Sequence, residues 1–158
     1  MMDNAVRIRP AEAADMKQVY QWRNDPWIVE RGSLNRTVTK EEHEAWFQES
    51  LKSDVRQLFI VEIDGVRAGQ IRFDLQNEGR CRVSLYVMQD YTGQGFGVEA
   101  LTLGCQAIAK VWSVSFVVAE ILPTNTSSQV AFRKAGFVQS DDVSAEDHLI
   151  FLLDLQAL

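Results

Sequence analysis

The sequence predicts an α+β fold in which a mixed, mostly antiparallel sheet of about seven strands packs against about four helices. The spacing of apolar residues changes from about 3.6 to about 2 and back along the chain, which indicates interspersed helices and strands. Two turn sequences, Asp64-Gly65 and Asn77-Glu78-Gly79, join three consecutive strands closely enough to predict an antiparallel meander. We expect residues 1–158 to form a single domain, since we find no repeat and no linker.

The elements of the front half begin at a cap or end at a breaker. Pro10 ends the first strand, and the first helix ends before Pro26 because a residue that precedes proline avoids helical angles. Thr39 and Glu42 have the spacing of a capping box, which predicts the start of a second helix. The predicted elements are a strand over Val6–Arg9, a helix over Ala11–Arg23, an irregular segment over Trp27–Val38, and a helix from Lys40 to near Asp54.

The second half alternates strands with two helices. Pro123 ends one strand, and Gly136 has the position of a C-terminal cap for the helix before it. The predicted elements are strands over Gln57–Ile63, Val66–Leu75 and Arg80–Met88, a helix with an apolar stripe from Val98 to Trp112, a strand over Ser115–Leu122, a helix over Thr126–Ala135, and a hairpin of Phe137–Gln139 with His148–Leu155.

The composition excludes several classes of protein. Hydrophobic residues make up 46% of the chain, as in ordinary globular proteins. A net charge of −6 disfavours a nucleic-acid partner, and no apolar run is long enough for a membrane span. Met1 to Asn4 do not resemble a signal peptide, so we expect a cytoplasmic protein. Cys81 and Cys105 are then expected to be free, buried thiols, and no residues have metal-ligand spacing.

Three glycines, Gly93, Gly95 and Gly97, lie where a predicted strand gives way to a predicted helix. Glycine permits positive φ and close approach by a ligand, and the first N–H groups of a helix attract anions. The segment is therefore predicted to bind phosphate, although a purely structural turn also fits it. It lacks the P-loop lysine. A dinucleotide fingerprint, with Ala100 at the third glycine position and Glu120 as the acidic residue, is disfavoured because the segment follows antiparallel strands.

Two motifs carry a resemblance to a known family. Residues 91–97, Tyr-Thr-Gly-Gln-Gly-Phe-Gly, resemble the pyrophosphate loop of the GNAT acyltransferase superfamily, whose pattern is Arg/Gln-x-x-Gly-x-Gly/Ala. Residues 122–137 resemble its second signature, with Asn125, Ser128 three positions later, and a closing Gly136-Phe137. The order of predicted elements is also similar to that of the superfamily from end to end.

The resemblance implies a V-shaped splay between the fourth and fifth strands, with acetyl-CoA bound in it and no metal. An N–H of the fourth strand would face the acetyl oxygen, the glycine loop would hold the pyrophosphate, and Asn125 would contact the pantetheine. The residues implied for acetyl-CoA are Tyr86, Val87, Met88, Gly93, Gln94, Gly95, Phe96, Gly97, Asn125, Ser128 and Phe132.

The chain departs from the family pattern at the loop and at the general acid. Thr92 stands where arginine or glutamine is usual, so a long donor over the phosphates is absent. Phe132 stands where many relatives have a tyrosine that protonates the leaving thiolate, so the acid is Ser128, Tyr86 or water.

The general base also departs from the pattern. Arg82 stands where relatives often carry a glutamate, and Glu120, Asp74, Glu30 or a water chain are the candidates in its place. Each of these carboxylates is equally consistent with an ion pair. No cysteine or serine is paired with a histidine in a motif, so we expect direct attack by the amine in a ternary complex.

The front half resembles a subgroup that acetylates primary amines of nucleotide-linked 4-amino-4,6-dideoxy sugars, with ribosomal-protein and polyamine acetyltransferases among its relatives. The quoted segments are Trp22–Pro26, Val38–Phe47 and Gly69–Asp74. Candidate acceptor-binding residues are Arg31, Arg36, His43, Trp46, Phe47 and Asp74, although His43 and the two aromatic residues also fit packing roles. A non-catalytic acyl-CoA-binding sensor stays open as an alternative, and the protein is expected to be a monomer or a homodimer.

Overall fold

The computed structural model of the chain describes residues 5–32, 36–77, 79–144 and 146–157. These residues form one seven-stranded sheet in the order β1-β2-β3-β4-β5-β7-β6. The strands are β1 (Val6–Pro10), β2 (Arg56–Ile63), β3 (Val66–Leu75), β4 (Arg80–Val87), β5 (Phe116–Ile121), β6 (Val138–Val143) and β7 (Leu149–Asp154). The α-helices are α1 (Met16–Arg23), α2 (Pro26–Arg31), α3 (Lys40–Lys52), α4 (Phe96–Val111) and α5 (Thr126–Lys134).

One pair of neighbouring strands in the sheet is parallel. β4 and β5 are parallel and pair over three residues, from Arg80 with Phe116 to Arg82 with Val118. All other neighbouring strands are antiparallel. Beyond Arg82 the two parallel strands separate, which confirms the predicted mixed sheet and the splay between its fourth and fifth strands.

Each face of the sheet has its own apolar cluster. On one face α4 covers β1 to β4, and its side chains Ala100, Leu101 and Ile108 have no exposed surface. On the other face α1 and α3 bring Trp22 and Phe47 against β2. Because strand side chains alternate between faces, β2 supplies Phe59 and Val61 to the first cluster and Leu58 and Ile60 to the second. The splay is therefore a passage between two separately packed faces.

Several predicted boundaries differ from the structure. The first helix begins at Met16, after a short 3₁₀ turn over Ala13–Asp15. Trp27 to Arg31 are helical because Pro26 occupies the first helical position and the Asp25 carboxylate accepts the Trp27 N–H at 2.9 Å. Met88 lies outside β4, and β6 extends to Val143.

Parts of some predictions fall on residues outside the described ranges. These are Met1 to Asn4 of the leader prediction, residues 33–35 of the predicted irregular segment, and Glu78 of the second turn. The first turn is confirmed, since Asp64 and Gly65 have φ values of 52° and 80°. Within the described ranges, no helix is both long and apolar enough to cross a membrane.

A buried carboxylate ties the chain start to the sheet. Asp15 is 1% exposed, and its two oxygens accept from Arg9 at 2.8 and 2.9 Å. Arg67 approaches within 3.3 Å, and the Glu12 N–H donates to the same carboxylate at 2.8 Å. The hydrogen bonds from Arg9 lower the pKa of Asp15 below its usual value, against the opposing effect of burial. Asp15 therefore stabilises the fold in its charged form.

We expect Asp15→Asn to lower the free energy of unfolding at pH 7 by about 3 kcal/mol, because it removes the buried carboxylate that binds Arg9 and Arg67 and leaves Arg9 with Glu62 alone. The folded-state pKa is depressed, so this contribution is complete above the unfolded-state pKa of about 3.9 and disappears as the pH falls further. Urea unfolding at several pH values measures it. Asp54→Asn, at an exposed position, is the control, and an equal loss in both variants would contradict the assignment.

Candidate active site

The loop between β4 and α4 is an open cradle of backbone N–H groups. Gly93 and Gly95 have φ values of 76° and 85°, and Gly95 precedes α4 without a side-chain cap. A Cβ atom at Gly93, Gly95 or Gly97 would meet no protein atom within 4 Å. Among the described residues, no group accepts from the N–H groups of Phe96, Gly97 and Val98. Free donors at a helix start, in open space, suit a pyrophosphate.

The splay exposes the peptide N–H of Val87 at the end of β4. The Met88 N–H donates to Ala68 O at 2.8 Å, on the β3 side. Because strand groups alternate in direction, the Val87 N–H points to the opposite side, where β5 has already diverged. Met88 O accepts from Tyr91 N–H at 2.9 Å, so both backbone groups of Met88 are engaged. Of the three predicted residues Tyr86 to Met88, Val87 is the one that presents a free donor to the cleft.

The α5 residues of the second motif line the other side of the splay. Asn125 caps α5 through its side-chain oxygen, which accepts the Ser128 N–H at 3.2 Å. Its amide NH₂ group makes no hydrogen bond within the described structure and remains able to bind pantetheine. Ser128 and Phe132 both line the cleft, and Phe132 packs edge-on against Phe137 at 5.0 Å between ring centroids. The structure thus brings the two sequence motifs to opposite sides of one gap.

Tyr86 lies on the α1–α3 face of β4. Its hydroxyl donates to Gln70 Oε1 at 3.4 Å, and its ring meets Trp22 edge-on at 6.1 Å. Burial raises the pKa of Tyr86 well above its usual value, and the nearby cations of Arg72 and Arg23 only partly oppose this. The phenol therefore stays protonated at neutral pH and can act as a proton donor but not as a base.

The carboxylates named as candidate bases are engaged in ion pairs. Glu120 lies 3.2 Å from Arg82, and Asp74 is held by Arg56 at 2.6 Å and by Arg72 at 2.9 Å. Glu120 lines the cleft, whereas Asp74 does not. Glu30 is exposed and lies 3.7 Å from Arg31. All three carboxylates therefore occupy the ion-paired positions that were the alternative to a role as base.

One continuous cleft of about 1140 Å³ joins the glycine cradle, the splay and the surface of α1 to α3. Of the predicted acceptor residues, Arg31, Arg36, His43 and Trp46 line it. Phe47 does not, because it is fully buried and packs with the α1–α3 cluster. Phe47 therefore lies in the packing position that was its alternative role. Asp74 likewise lies in an ion pair and outside the cleft lining.

Several cleft residues were not singled out as candidate site residues by the sequence. They are Arg23, Trp27, Gln70, Arg72, Lys134 and His148. Arg23 belongs to the quoted Trp22–Pro26 segment, and His148 is one of two histidines, so residue type alone was a weak signal. These residues lie on elements that are distant in sequence and come together only in the folded chain, so local periodicity could not place them in one cleft.

Arg23 is an unusual cation within the cleft. One of its nitrogens donates to Arg36 O at 2.6 Å, and no carboxylate in the described residues forms an ion pair with it. Burial, and secondarily Arg36, lower its pKa. Arg23 in turn adds to the effect of burial in lowering the pKa of His43. His43 is therefore neutral at pH 7.

The two cysteines take no part in the cleft. Cys81 and Cys105 are free and buried, as predicted. Burial raises the pKa of each thiol to about 12, so neither is a thiolate near neutral pH. A covalent acyl-cysteine route has no support in these positions.

The glycine cradle yields a matched test. Gly95 and Gly65 both have positive φ and open space around the Cβ position, but Gly65 lies in the β2–β3 turn. We expect Gly95→Val and Gly65→Val to lose comparable stability from backbone strain. Gly95→Val alone should weaken CoA binding, by at least about tenfold, because its side chain fills the anion site. Calorimetric titration with CoA measures this, and equal affinities in the two variants would contradict the cradle.

Comparisons with known proteins agree with this geometry. Residues 5–138 match the model of the acetyltransferase (GNAT) domain family. A comparison with curated protein sequences finds no significant match. The fold is similar to that of the aminoglycoside acetyltransferase AAC(6')-Ib in complex with coenzyme A, with 16% identity, 97% of this chain and 96% of that chain covered, and a TM-score of 0.84.

Two further solved structures share the fold. RimL, a ribosomal L7/L12 α-N-protein acetyltransferase in complex with coenzyme A, is 14% identical, with 97% and 96% coverage and a TM-score of 0.80. Spermidine N-acetyltransferase from Vibrio cholerae, in complex with CoA and spermine, is 12% identical, with 96% coverage of both chains and a TM-score of 0.82. The chain belongs to the GNAT acetyltransferase domain family, and it is an acetyl-CoA-dependent N-acetyltransferase.

Proposed function

We propose that the acceptor is a primary amine on an anionic small molecule, and specifically the amine of a nucleotide-linked 4-amino-4,6-dideoxy sugar. The observation that carries the proposal is the charge of the acceptor half of the cleft. Its described lining includes Arg23, Arg31, Arg36 and Arg72. The lining acids are Glu42, 3.4 Å from Arg36, and Glu120, 3.2 Å from Arg82.

A cationic cleft in a protein with a net charge of −6 is a local feature and does not follow from overall composition. Polycationic acceptors such as the spermine bound by the Vibrio cholerae enzyme would be repelled from it. A diphosphate would instead meet guanidinium groups, which bind phosphate oxygens in a bidentate manner. This favours a nucleotide sugar over a polyamine.

Aromatic surfaces in the cleft fit a base or a sugar ring. Trp27 is stacked under the Arg31 guanidinium, 4.2 Å from the ring centroid. Trp46 lies within 6 Å of two guanidinium groups, those of Arg56 at 5.5 Å and Arg72 at 5.7 Å. An aromatic face beside cations is a common arrangement for binding nucleotide bases next to phosphates. His43 packs behind Trp46 in the same wall, is 4% exposed, and has a buried Nε2 with no partner among the described residues.

We infer direct transfer in a ternary complex. The amine attacks the thioester carbon while the Val87 N–H stabilises the negative charge that develops on the acetyl oxygen. The thiolate then leaves and takes a proton from Tyr86 or Ser128, two of the hydroxyl-bearing residues that line the cleft. The surrounding arginines lower the pKa of the bound amine, and water carries its proton away, since the nearby carboxylates are engaged by arginine. Proximity supplies several kcal/mol of the barrier reduction.

An acceptor screen with acetyl-CoA tests the proposal. A UDP-linked 4-amino-4,6-dideoxy sugar, a peptide amino terminus and spermine are compared by release of free thiol. We expect the sugar nucleotide to have the highest kcat/KM, and initial-rate lines with both substrates varied to intersect. Parallel lines would rule out the ternary complex. A preference for the peptide would assign the protein to N-terminal acetylation instead.

We expect Arg23→Gln to raise the KM for the anionic acceptor by roughly 10- to 100-fold, because a charge-assisted hydrogen bond contributes about 1.5–3 kcal/mol. The KM for acetyl-CoA should change by less than about twofold, and spermine should become a less disfavoured acceptor. Steady-state kinetics at constant ionic strength measure all three. Arg7→Gln makes the same charge change at an exposed site on β1 and should leave the kinetics unaltered. If Arg23→Gln changed only the KM for acetyl-CoA, Arg23 would lie on the acetyl-CoA side of the cleft, and its assignment to the acceptor side would be wrong.

A further inference from the structure

Gly69 in β3 lies directly against the backbone of β4 at the splay. It pairs with Val87 in the register of the two strands. A Cβ atom at this position would overlap Tyr86 O and lie 2.8 Å from Val87 Cα. Real Cβ atoms do not come so close to main-chain atoms, so any other residue here must push the two strands apart or rotate a peptide.

The peptide that Gly69 touches is the one that presents the free donor. The Tyr86–Val87 peptide is planar and trans, so its C=O and N–H point in opposite directions. Its oxygen faces Gly69 on the β3 side. Its N–H must then face away from β3, into the gap left by β5. This agrees with the direction set independently by the Met88 N–H, which donates to Ala68 O at 2.8 Å.

The neighbouring register explains why β3 comes so close. Val61 pairs with Gly69, but Glu62 pairs with Arg67, so Ala68 is an extra residue on β3 opposite β2. A bulge of this kind increases the local twist and redirects the strand. The Ala68 carbonyl then accepts from Met88, at the point where β4 ends. The bulge and the missing side chain together hold the end of β4 against β3.

We propose that Gly69 is a positioning residue for acetyl transfer, which acts by fixing the direction of the Val87 N–H toward the acetyl carbonyl. When the acceptor amine attacks the carbonyl carbon, the π electrons of the C=O bond move onto oxygen, and this N–H stabilises them. Such a donor must lie about 2.7–3.1 Å from the oxygen, so a shift of the order of an ångström removes most of its effect. The inference rests on the acetyl-transfer activity of the family and is independent of the proposed acceptor.

Gly104, in α4, offers a matched control because it packs against the same strand, β3. A Cβ atom there would lie 2.6 Å from Ile71 Cδ1 and 3.2 Å from Phe73 Cζ, which are side-chain atoms on the α4 face of β3. Gly104→Ala therefore disturbs packing beneath β3 without contacting the backbone of β4. Gly69→Ala and Gly104→Ala add the same methyl group and differ in whether the Tyr86–Val87 peptide must move.

The test uses the infrared carbonyl band of acetyl-CoA labelled with ¹³C at the acetyl carbonyl, bound to the full chain without an acceptor. A hydrogen bond to the carbonyl shifts this band to lower frequency than in solution. We expect the shift in the unaltered protein and in Gly104→Ala, and its loss in Gly69→Ala. Calorimetry should give CoA affinities within about threefold for all three proteins, since the glycine cradle is unchanged. Retention of the shift in Gly69→Ala, or its equal loss in Gly104→Ala, would overturn the proposal.

A second measurement uses the unaltered protein and does not depend on the folding of any variant. The ¹⁵N–¹H resonance of Val87 is compared between the CoA complex and the complex with a ketone analogue, in which a methylene group replaces the thioester sulfur. We expect the Val87 amide proton to shift downfield with the analogue, because the analogue carries the acetyl carbonyl and CoA does not. An unchanged Val87 resonance would show that another group polarises the carbonyl, and would overturn the role assigned to Gly69.

Discussion

The short parallel pairing of β4 with β5 is the constraint on which the site depends. The two strands share three residue pairs and then diverge, while β3 and β7 continue to hold their outer edges. A strand end that keeps one partner and loses the other must leave backbone groups without a partner inside the fold. Here those groups line a cleft where a ligand can satisfy them. The same divergence opens a passage between the two faces of the sheet.

The two faces supply different chemistry to this passage. α4 begins at the open end of β4, so its free N–H groups form an anion site that needs no charged side chain. α1 and α3 cover the opposite face and bring Arg23, His43 and Trp46 to the acceptor half of the cleft. The anion site and the cationic part of the cleft are therefore built by different helices.

The site contains few ionisable groups free to exchange protons. The cleft-lining glutamates are held by arginines, Tyr86 is kept neutral by burial, and Phe132 has no acidic proton. In the proposed mechanism, backbone donors and the positioning of two substrates supply most of the catalysis. Such a site depends on accurate main-chain geometry, and the close contact of Gly69 with β4 is consistent with that requirement. Asp15, although distant from the chemistry, ties β1 and the start of α1 together, and β1 pairs with β2 at the edge of the same sheet.

Local signals in the sequence determined the element types, the hairpin turn at Asp64-Gly65, the capping box at Thr39 and the glycine loop before α4. Each of these depends on a few consecutive residues whose backbone preferences or cap bonds are intrinsic. The two family motifs also identified Asn125, Ser128 and the glycine cradle as parts of one site. The helix at Pro26 was missed because Asp25 and Pro26, which begin it, also have the pattern that ends the preceding helix.

Tertiary structure decided the remainder, because it depends on contacts between segments distant in sequence. Arg82 and Glu120 form an ion pair across two strands, and Asp74 is shared by two arginines, so these two candidate bases lie in ion pairs. Phe47 and Trp46 are adjacent in sequence, yet one is core and the other lines the cleft, since helix rotation against β2 chose between them. Which N–H of β4 is free depends on where β5 diverges and on how closely β3 approaches. The periodicity of β4 predicts neither feature, because every residue has the same backbone N–H group whether or not a neighbouring strand pairs with it.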